Sequence, residues 1–311
     1  MSVPQETDTT SRIVNQEDAT VPLFGAHLSI SRGLHMAITD AVALGCETVQ
    51  IFTKNASQWN APPLRDEDVT AFRRAAVASG LHWITVHDSY LINLASPKDE
   101  LFAKSVAAFA DELERAEALG ADYLVTHPGA HTGSGEEAGL ARVVAGYEEA
   151  LARCPGYKVR VLLETTAGQG SSLGNRFEHL ATVLDRANCA DRMGVCFDTC
   201  HVFAAGYGLA AAEDYAATFQ QFDDLVGLER LNLFHMNDSE KPRGSRVDRH
   251  AGIGAGEIGE AAFRRLVTDV RFRDRPMILE TPKKSADGTD MDRVNLALLR
   301  GFASDTHAGA G

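Results

Sequence analysis

Histidine, aspartate and glutamate residues recur in this chain at the ends of short apolar segments. The clearest case is segment 193–208, MGVCFDTCHVFAAGYG, in which an apolar run ends abruptly in Asp198 and His201. Side chains three residues apart across such a corner can reach one pocket, while Gly206 and Gly208 let the following backbone turn away. The pattern predicts a buried strand that delivers a carboxylate and an imidazole, two ligand types of zinc sites.

The same construction follows nearly every apolar segment of the chain. The candidate ligands are His27, His87, Asp88, His127, Glu164, Asp198, His201, His235, Asp238 and Glu280, with Asp248 and His250 in the glycine-rich loop 239–258. Each of these residues, taken alone, could equally well be a histidine with all its hydrogen bonds made or an acid that caps a helix or turn. Chance alone does not explain why eight or more such residues would lie on one rim of the fold.

This set of ligand types favours a particular kind of metal centre. Imidazole and carboxylate without cysteine suit catalytic zinc, with manganese and iron as chemical alternatives. So many ligands imply a cluster of two or three ions that share bridging carboxylates. Paired ions are typical of in-line phosphoryl displacement, so the residues favour that reaction class.

Eight strand-and-helix units are predicted to position these residues. The apolar segments are 24–29, 48–54, 82–88, 123–129, 159–166, 193–201, 231–238 and 276–281, and the helical segments are 33–44, 66–79, 98–119, 136–152, 176–188, 213–227, 259–270 and 289–302. Continuous apolar strands that alternate with amphipathic helices predict a parallel sheet covered by helices. Eight such units predict an α/β fold, a (β/α)8 TIM barrel with its site at the C-terminal ends of the strands. A doubly wound open sheet is the alternative, but no glycine-rich dinucleotide motif follows the first strand.

Length and composition place the chain among single-domain globular enzymes. Its 311 residues, with 44% hydrophobic and 23% charged content, suit one barrel over 23–303, a polar and disordered N-terminal arm over 1–22 and a flexible tail over 304–311. The five cysteines include no C-x-x-C pair, which predicts reduced thiols and a cytoplasmic location. No apolar run approaches the ~18 residues of a membrane span, and the first 20 residues lack the apolar core of a signal peptide.

The net charge of −13 argues against a general nucleic-acid binder, since such binding rests mainly on cations that neutralise phosphates. Bound divalent cations would, however, concentrate positive charge in one cleft. The charge of the whole chain therefore governs solubility, while the local field at the cleft governs the ligand.

Three long motifs resemble the signature regions of a known family. VHDSYLINL (86–94), GVCFDTCHVFAAGY (194–207) and FHMNDSEKPRGSRVDRHAGIGAGEIG (234–259) are similar to those of endonuclease IV, the zinc-dependent apurinic/apyrimidinic (AP) endonucleases of DNA repair. HPG (127–129), LLETTAGQGSSLG (162–174) and ILET (278–281) extend the resemblance over about residues 23–283.

The resemblance implies a TIM barrel with three zinc ions at its mouth. His87, His127 and Glu164 would hold the first ion, and His201, Asp248 and His250 the third. The second would be held by Glu164 as a bridge together with Asp198, His235 and Glu280. The implied reaction is hydrolysis of the phosphodiester 5′ to an abasic site in duplex DNA, which leaves a 3′-hydroxyl and a 5′-deoxyribose phosphate; the family also trims blocked 3′ ends. A monomer is expected.

The resemblance also implies DNA contacts at the mouth of the barrel. Tyr90 and Leu91 match residues that push into the duplex, and Arg246 and Arg249 match DNA-contacting positions. In FTKNASQW (52–59), Lys54, Asn55, Gln58 and Trp59 are retained. Ser57 stands where the family often has an arginine that fills the gap in the base stack. The loop, Ser57 included, is expected to bind DNA, with a wedge that is either weaker or supplied by another residue.

Two other functions remain as alternatives. A divalent-metal sugar isomerase or epimerase on a xylose-isomerase-like barrel would also place acids and histidines on its last strands, but it needs neither the third ligand set nor the SYLIN loop. A non-enzymatic zinc scaffold is disfavoured, because structural zinc sites are closed and have few ligands.

Overall fold

Eight parallel strands close into a barrel in the computed structural model of this chain, which describes residues 22–308. The barrel strands are β1 (Leu23–Leu28), β2 (Thr48–Phe52), β3 (Ile84–His87), β4 (Tyr123–Thr126), β5 (Arg160–Glu164), β6 (Met193–Asp198), β7 (Leu231–His235) and β10 (Pro276–Leu279). Each strand pairs with its neighbours in chain order, and β10 closes the barrel against β1, with Gly25 opposite Ile278. The predicted TIM barrel is confirmed.

Helices cover the outside of the barrel. They are α1 (Leu34–Ala43), α2 (Asp66–Ser79), α3 (Asp99–Leu119), α4 (Glu136–Arg153), α5 (Phe177–Arg186), α6 (Thr199–Ala205), α7 (Ala212–Leu225), α8 (Glu260–Thr268) and α9 (Met291–Ala308), with single 3-10 turns at Ala190–Arg192, Leu228–Arg230 and Val270–Phe272. On α3 an apolar stripe is buried at Val106, Phe109, Leu113 and Ala116. That helix ends at Gly120, whose φ of 73° suits the left-handed conformation of a helix end.

Apolar side chains pack in two layers. Strand residues that point outward pack against the helices, whereas a smaller set fills the barrel interior at Tyr123, Val125, Leu162, Cys196, Leu233 and Ile278. Because strand side chains alternate between the two faces, the next inward position on each of these strands lies at the barrel mouth. The interior packing therefore fixes which residues face the mouth.

The loop between β7 and α8 is ordered by a short hairpin. Strands β8 (Asp238–Ser239) and β9 (His250–Ala251) pair antiparallel. The buried carboxylate of Asp238 accepts hydrogen bonds from the backbone N–H groups of Ser239, Gly256, Ile258 and Gly259, at 2.7 to 3.2 Å. Asp238, a candidate ligand in the sequence, instead organises this loop.

Several element boundaries differ from the sequence prediction, among them those of β3, β6 and α9. β3 begins at Ile84 and not at 82, because Trp83 has a positive φ of 51° that ends regular strand geometry. β6 ends at Asp198, and the residues that follow form helix α6, which ends at Gly206 with a φ of 118°. Helix α9 continues to Ala308, past the predicted helical end at 302, since no proline follows Met291 to interrupt it.

The remaining parts of the predicted arm and tail lie outside the described residues, apart from Pro22. Within the described part, every helix is too short or too polar to cross a lipid bilayer. All five cysteines are free thiols, as predicted.

Candidate metal centre

Candidate ligands occupy the inward positions at the C-terminal ends of the strands. On five strands such a residue stands two positions beyond a residue of the barrel interior. The pairs are Val125 and His127, Leu162 and Glu164, Cys196 and Asp198, Leu233 and His235, and Ile278 and Glu280. His87 ends the adjacent strand β3. The strand periodicity thus gathers these side chains at the mouth.

Glu164 is the centre of the arrangement and is fully buried. Its Oε2 lies 3.1 Å from Nε2 of His87 and 3.1 Å from Nε2 of His127. Its Oε1 lies 2.9 Å from Nδ1 of His235 and 3.3 Å from Nδ1 of His201. The two oxygens of one carboxylate therefore face different groups of histidines, which is the geometry of a bridging ligand.

A second group forms around His235. Its Nδ1 lies 3.2 Å from Glu280 Oε2 and 3.8 Å from Asp198 Oδ2, in addition to its contact with Glu164. The donor atoms of Glu164, Asp198, His235 and Glu280 all lie within 4.8 Å of one another. These four residues could hold one metal ion.

A third group combines α6 with the loop 239–258. Nε2 of His201 lies 3.1 Å from Asp248 Oδ2, and Nε2 of His250 lies 3.1 Å from Asp248 Oδ1. His201 is oriented locally, because Asp198 caps α6 and accepts the His201 backbone N–H at 2.8 Å. Asp198 thus serves as a helix cap and also belongs to the second group.

The histidine nitrogens of this site suit a metal ion better than they suit the neighbouring acids. Nε2 of His127 and Nε2 of His250 are buried and have no hydrogen-bond partner, although each lies 3.1 Å from a carboxylate oxygen. Those contacts lack hydrogen-bond geometry, as expected when ligands point at a shared ion and not at one another. The donor set, imidazole and carboxylate, is also the one found in catalytic zinc sites.

Opposite charges meet at close range in this centre. Burial alone lowers the pKa of a histidine, but hydrogen bonding and charge from Glu164 outweigh it and raise the pKa of His87 to about 10. Asp198 and Asp248 likewise overcome burial and raise the pKa of His250 to about 9. The pKa of Glu164 is held well below its ordinary value despite burial, chiefly by His235 and His127. A divalent cation would displace the protons that these histidines hold.

Two of the weaker candidate ligands play other roles. Asp88 is buried and accepts the Thr126 hydroxyl at 2.6 Å. His27 places Nδ1 3.0 Å from Glu280 Oε1 and packs its ring against Phe52, with centroids 4.4 Å apart. Asp88 supports a strand and His27 supports a ligand, and neither belongs to the three groups of donor atoms that lie close enough to share an ion.

A cavity of about 240 Å³ lies beside the metal centre, and its lining includes His127, His201, Asp248 and Tyr90. Tyr90 is 61% exposed, and its ring centroid lies 5.7 Å from that of His87. Leu91 is half-buried beside it. An aromatic side chain therefore projects from the rim directly above a candidate ligand.

The predicted DNA-contacting residues separate into exposed and buried positions. Asn55, Ser57, Gln58, Arg246 and Arg249 are exposed. Lys54 is not, because its side chain is 3% exposed and its Nζ lies 2.6 Å from Asp111 Oδ2 and 3.2 Å from Glu112 Oε1. Lys54 therefore anchors the loop beneath its surface in this structure, and its contact with DNA stays a prediction.

The sequence analysis missed two buried amides that contact the ligands. Asn237 donates from Nδ2 to Asp198 Oδ2 at 2.6 Å and accepts the Glu280 backbone N–H at 2.9 Å. Its position two residues beyond His235 was a usable signal, since strand alternation places it near the same end. Oε1 of Gln50 lies 2.8 Å from Nε2 of His235. No local sequence pattern predicts this contact, because the two residues are 185 positions apart.

Comparisons with known proteins identify the family of this chain. The family model described as "Xylose isomerase-like TIM barrel" matches residues 38–300. A protein of Chloroflexus aurantiacus named "Probable endonuclease 4" is 57% identical over 282 residues, which cover 90% of this chain and 98% of that relative. The crystal structure of endonuclease IV from Thermus thermophilus is 41% identical with a TM-score of 0.79, over 91% of this chain and 100% of that one.

A structure of a D-tagatose 3-epimerase-like protein is also similar, with a TM-score of 0.69 over 93% of this chain and 100% of that one. It is only 17% identical, so that likeness concerns the fold alone. The similarity to the endonucleases extends to the sequence as well as the fold, because it combines high identity with nearly complete coverage of both chains. The chain therefore belongs to the endonuclease IV family, a family of DNA phosphodiester hydrolases built on the xylose isomerase-like TIM barrel.

Proposed function

We propose that this protein is an AP endonuclease of base-excision repair. It hydrolyses the phosphodiester 5′ to an abasic site in duplex DNA, leaves a 3′-hydroxyl and a 5′-deoxyribose phosphate, and also trims blocked 3′ ends. The observation that carries the proposal is the joining of three ligand groups around Glu164 at the barrel mouth, in a chain of the endonuclease IV family. It acts as a monomer in the cytoplasm, where its free cysteines stay reduced.

Three zinc ions are the proposed cofactor, with manganese or iron as alternatives at some sites. The first group is His87, His127 and Glu164; the second is Glu164, Asp198, His235 and Glu280; the third is His201, Asp248 and His250. When bound, such ions activate water and stabilise negative charge on phosphoryl oxygens. Glu164 sets the spacing of the first two groups, because each of its oxygens faces one of them.

Residues around the cavity bind and orient the DNA. Tyr90 and Leu91 enter the duplex beside the abasic sugar, which turns into the cavity at a reduced cost because no base is paired there. Arg249 is exposed, and its Nη1 donates to the Asp248 carbonyl at 2.7 Å, so its guanidinium lies beside a residue of the third group and can pair with a phosphate. Asn55, Gln58 and Arg246 extend this exposed surface along the rim.

The alternative function, sugar epimerisation, accounts for the fold but leaves the third group without a role. An epimerase would need divalent metal near Glu164 and Glu280 only, whereas His201, Asp248 and His250 form a separate set with distances of 3.1 Å. A third ion has a clear use in phosphodiester cleavage, where charge develops on several oxygens at once.

One assay separates the two functions. Zinc-loaded protein is incubated with a duplex carrying a single abasic analogue and, in parallel, with ketose sugars. We expect a single incision 5′ to the analogue and no epimerised sugar. Conversion of a ketose together with an uncut duplex would refute the endonuclease.

Ser57→Arg is expected to tighten binding to abasic duplex by about 1 kcal/mol, comparable to one stacking contact. Ser57 is exposed, and its backbone N–H donates to Asn55 Oδ1 at 2.9 Å, so the loop can present a longer side chain without losing this turn. The measurement is the Kd of a fluorescent abasic duplex.

Thr70→Arg on α2 is the matched control, since it adds the same charge at an exposed site outside the mouth of the barrel. If both variants bind equally, the gain comes from charge alone. If Ser57→Arg binds no better than wild type, another side chain already fills the gap in the base stack.

A further inference from the structure

Strand β2 provides no ligand to the three groups, yet one of its side chains lies directly beneath the second group. Gln50 is inward-facing and fully buried. On the barrel it is paired with His27 of β1 on one side and with Thr85 of β3 on the other. A buried carboxamide at this depth requires partners for both its oxygen and its nitrogen.

The amide oxygen and the amide nitrogen of Gln50 each contact a residue of the second group. Oε1 of Gln50 lies 2.8 Å from Nε2 of His235, and Nε2 of Gln50 donates to Oε1 of Glu280 at 2.6 Å. The same Gln50 nitrogen lies 2.9 Å from Nδ1 of His27. The opposite orientation of the amide would bring its oxygen against the Glu280 carboxylate, where two acceptors repel each other. The contacts therefore fix which end of the amide faces His235.

This orientation determines the tautomer of His235. An amide oxygen only accepts, so Nε2 of His235 must carry the proton that it donates to Gln50. In the neutral ring Nδ1 is then bare, and this is the atom that faces Glu164, Asp198 and Glu280. At the same time the donor end of Gln50 holds one oxygen of Glu280, which leaves Oε2 toward His235.

We propose that Gln50 is a positioning residue for the metal centre. It holds His235 as the tautomer whose Nδ1 binds the ion of the second group, and it orients Glu280 toward the same ion. This inference rests on the metal centre of the proposed function. Partners of this kind beneath metal ligands typically change metal affinity by roughly 10- to 100-fold when they are removed.

The test compares metal binding by wild type, Gln50→Leu and a control. Thr85→Val is the control, because Thr85 is equally buried on the adjacent strand but bonds only to the carbonyl of Trp83. Metal-free proteins are titrated with zinc against a chromophoric chelator. Wild type and Thr85→Val are expected to bind three ions tightly. Gln50→Leu should bind two of them as tightly as wild type and one roughly 10- to 100-fold more weakly.

A second variant and a spectroscopic measurement keep the test decisive if Gln50→Leu folds poorly. Gln50→Met retains the length of the side chain without its polar atoms and should show the same weakened ion. Long-range 1H–15N spectra of the histidine rings report the tautomer directly. In zinc-loaded wild type, His235 should carry its proton on Nε2.

The outcomes separate this inference from the proposed function. Three tightly bound ions in wild type beside three equally tight ions in both Gln50 variants would overturn the role of Gln50 alone. So would a wild-type His235 that carries its proton on Nδ1. A wild type that binds no zinc would overturn the metal centre, and with it the role of Gln50.

Discussion

Asp248→Asn should lower kcat for incision of an abasic duplex by about 10² or more, with little change in duplex affinity. Asp248 lies 3.1 Å from both His201 and His250, so its two oxygens join the third group. Asparagine keeps the size of the side chain but removes its charge, and His201 and His250 then hold a divalent ion less tightly. In the proposed mechanism that ion would stabilise charge mainly in the transition state, so its loss should affect turnover more than binding.

The measurements are single-turnover incision rates and duplex Kd values for wild type and variant. Glu257→Gln is the matched control, because it removes one negative charge from an exposed residue of the same loop. The control should cut at the wild-type rate. If Asp248→Asn also cuts at that rate, the third group has no part in the reaction. If the rate falls only through weaker duplex binding, Asp248 acts in recognition and not in turnover.

The barrel and the ligand positions were predictable from sequence because both depend on local periodicity. The pattern that buries Leu162 and Cys196 inside the barrel also directs Glu164 and Asp198 to its mouth. The division of the ligands into three groups was not predictable from periodicity, since the spacing of the residues alone allowed two or three ions. That division came from the resemblance, and the structure brings the same three sets of donor atoms together.

What the sequence could not provide are contacts between residues far apart in the chain. The partner of Gln50 is 185 positions away, and Lys54 meets an acid 57 positions away on α3. The family resemblance assigned Lys54 to the DNA-contacting loop, but a matching motif does not tell whether the ammonium group faces solvent. Only the packing of α3 against this loop buries its ammonium group.

That burial leads to the largest stability effect that we expect. Lys54→Met should destabilise the protein by about 3–5 kcal/mol, since it removes one partner of a buried ion pair. Asp111 keeps Arg115, whose Nε lies 2.9 Å from its Oδ2, but Glu112 loses the cation 3.2 Å from its Oε1. Glu112 is 1% exposed and retains only the Thr53 hydroxyl at 2.7 Å. Urea unfolding measures the loss, with the exposed Lys158→Met as control.

The pH dependence of this loss identifies Glu112 as its cause. Burial already raises the pKa of Glu112 above its ordinary value, although Lys54 opposes the shift. A carboxyl group whose pKa is raised by folding contributes stability at low pH and loses that contribution as pH rises through the raised pKa. Without Lys54 the pKa of Glu112 rises further, so the loss of stability should be smaller at about pH 5, where Glu112 can be protonated in the folded protein, than at about pH 8.

Adding Glu112→Gln to Lys54→Met should recover most of the stability at pH 8. A loss that is equal at both pH values, or a double variant as unstable as Lys54→Met, would show that lost packing of the lysine side chain, and not the unpaired carboxylate, is responsible.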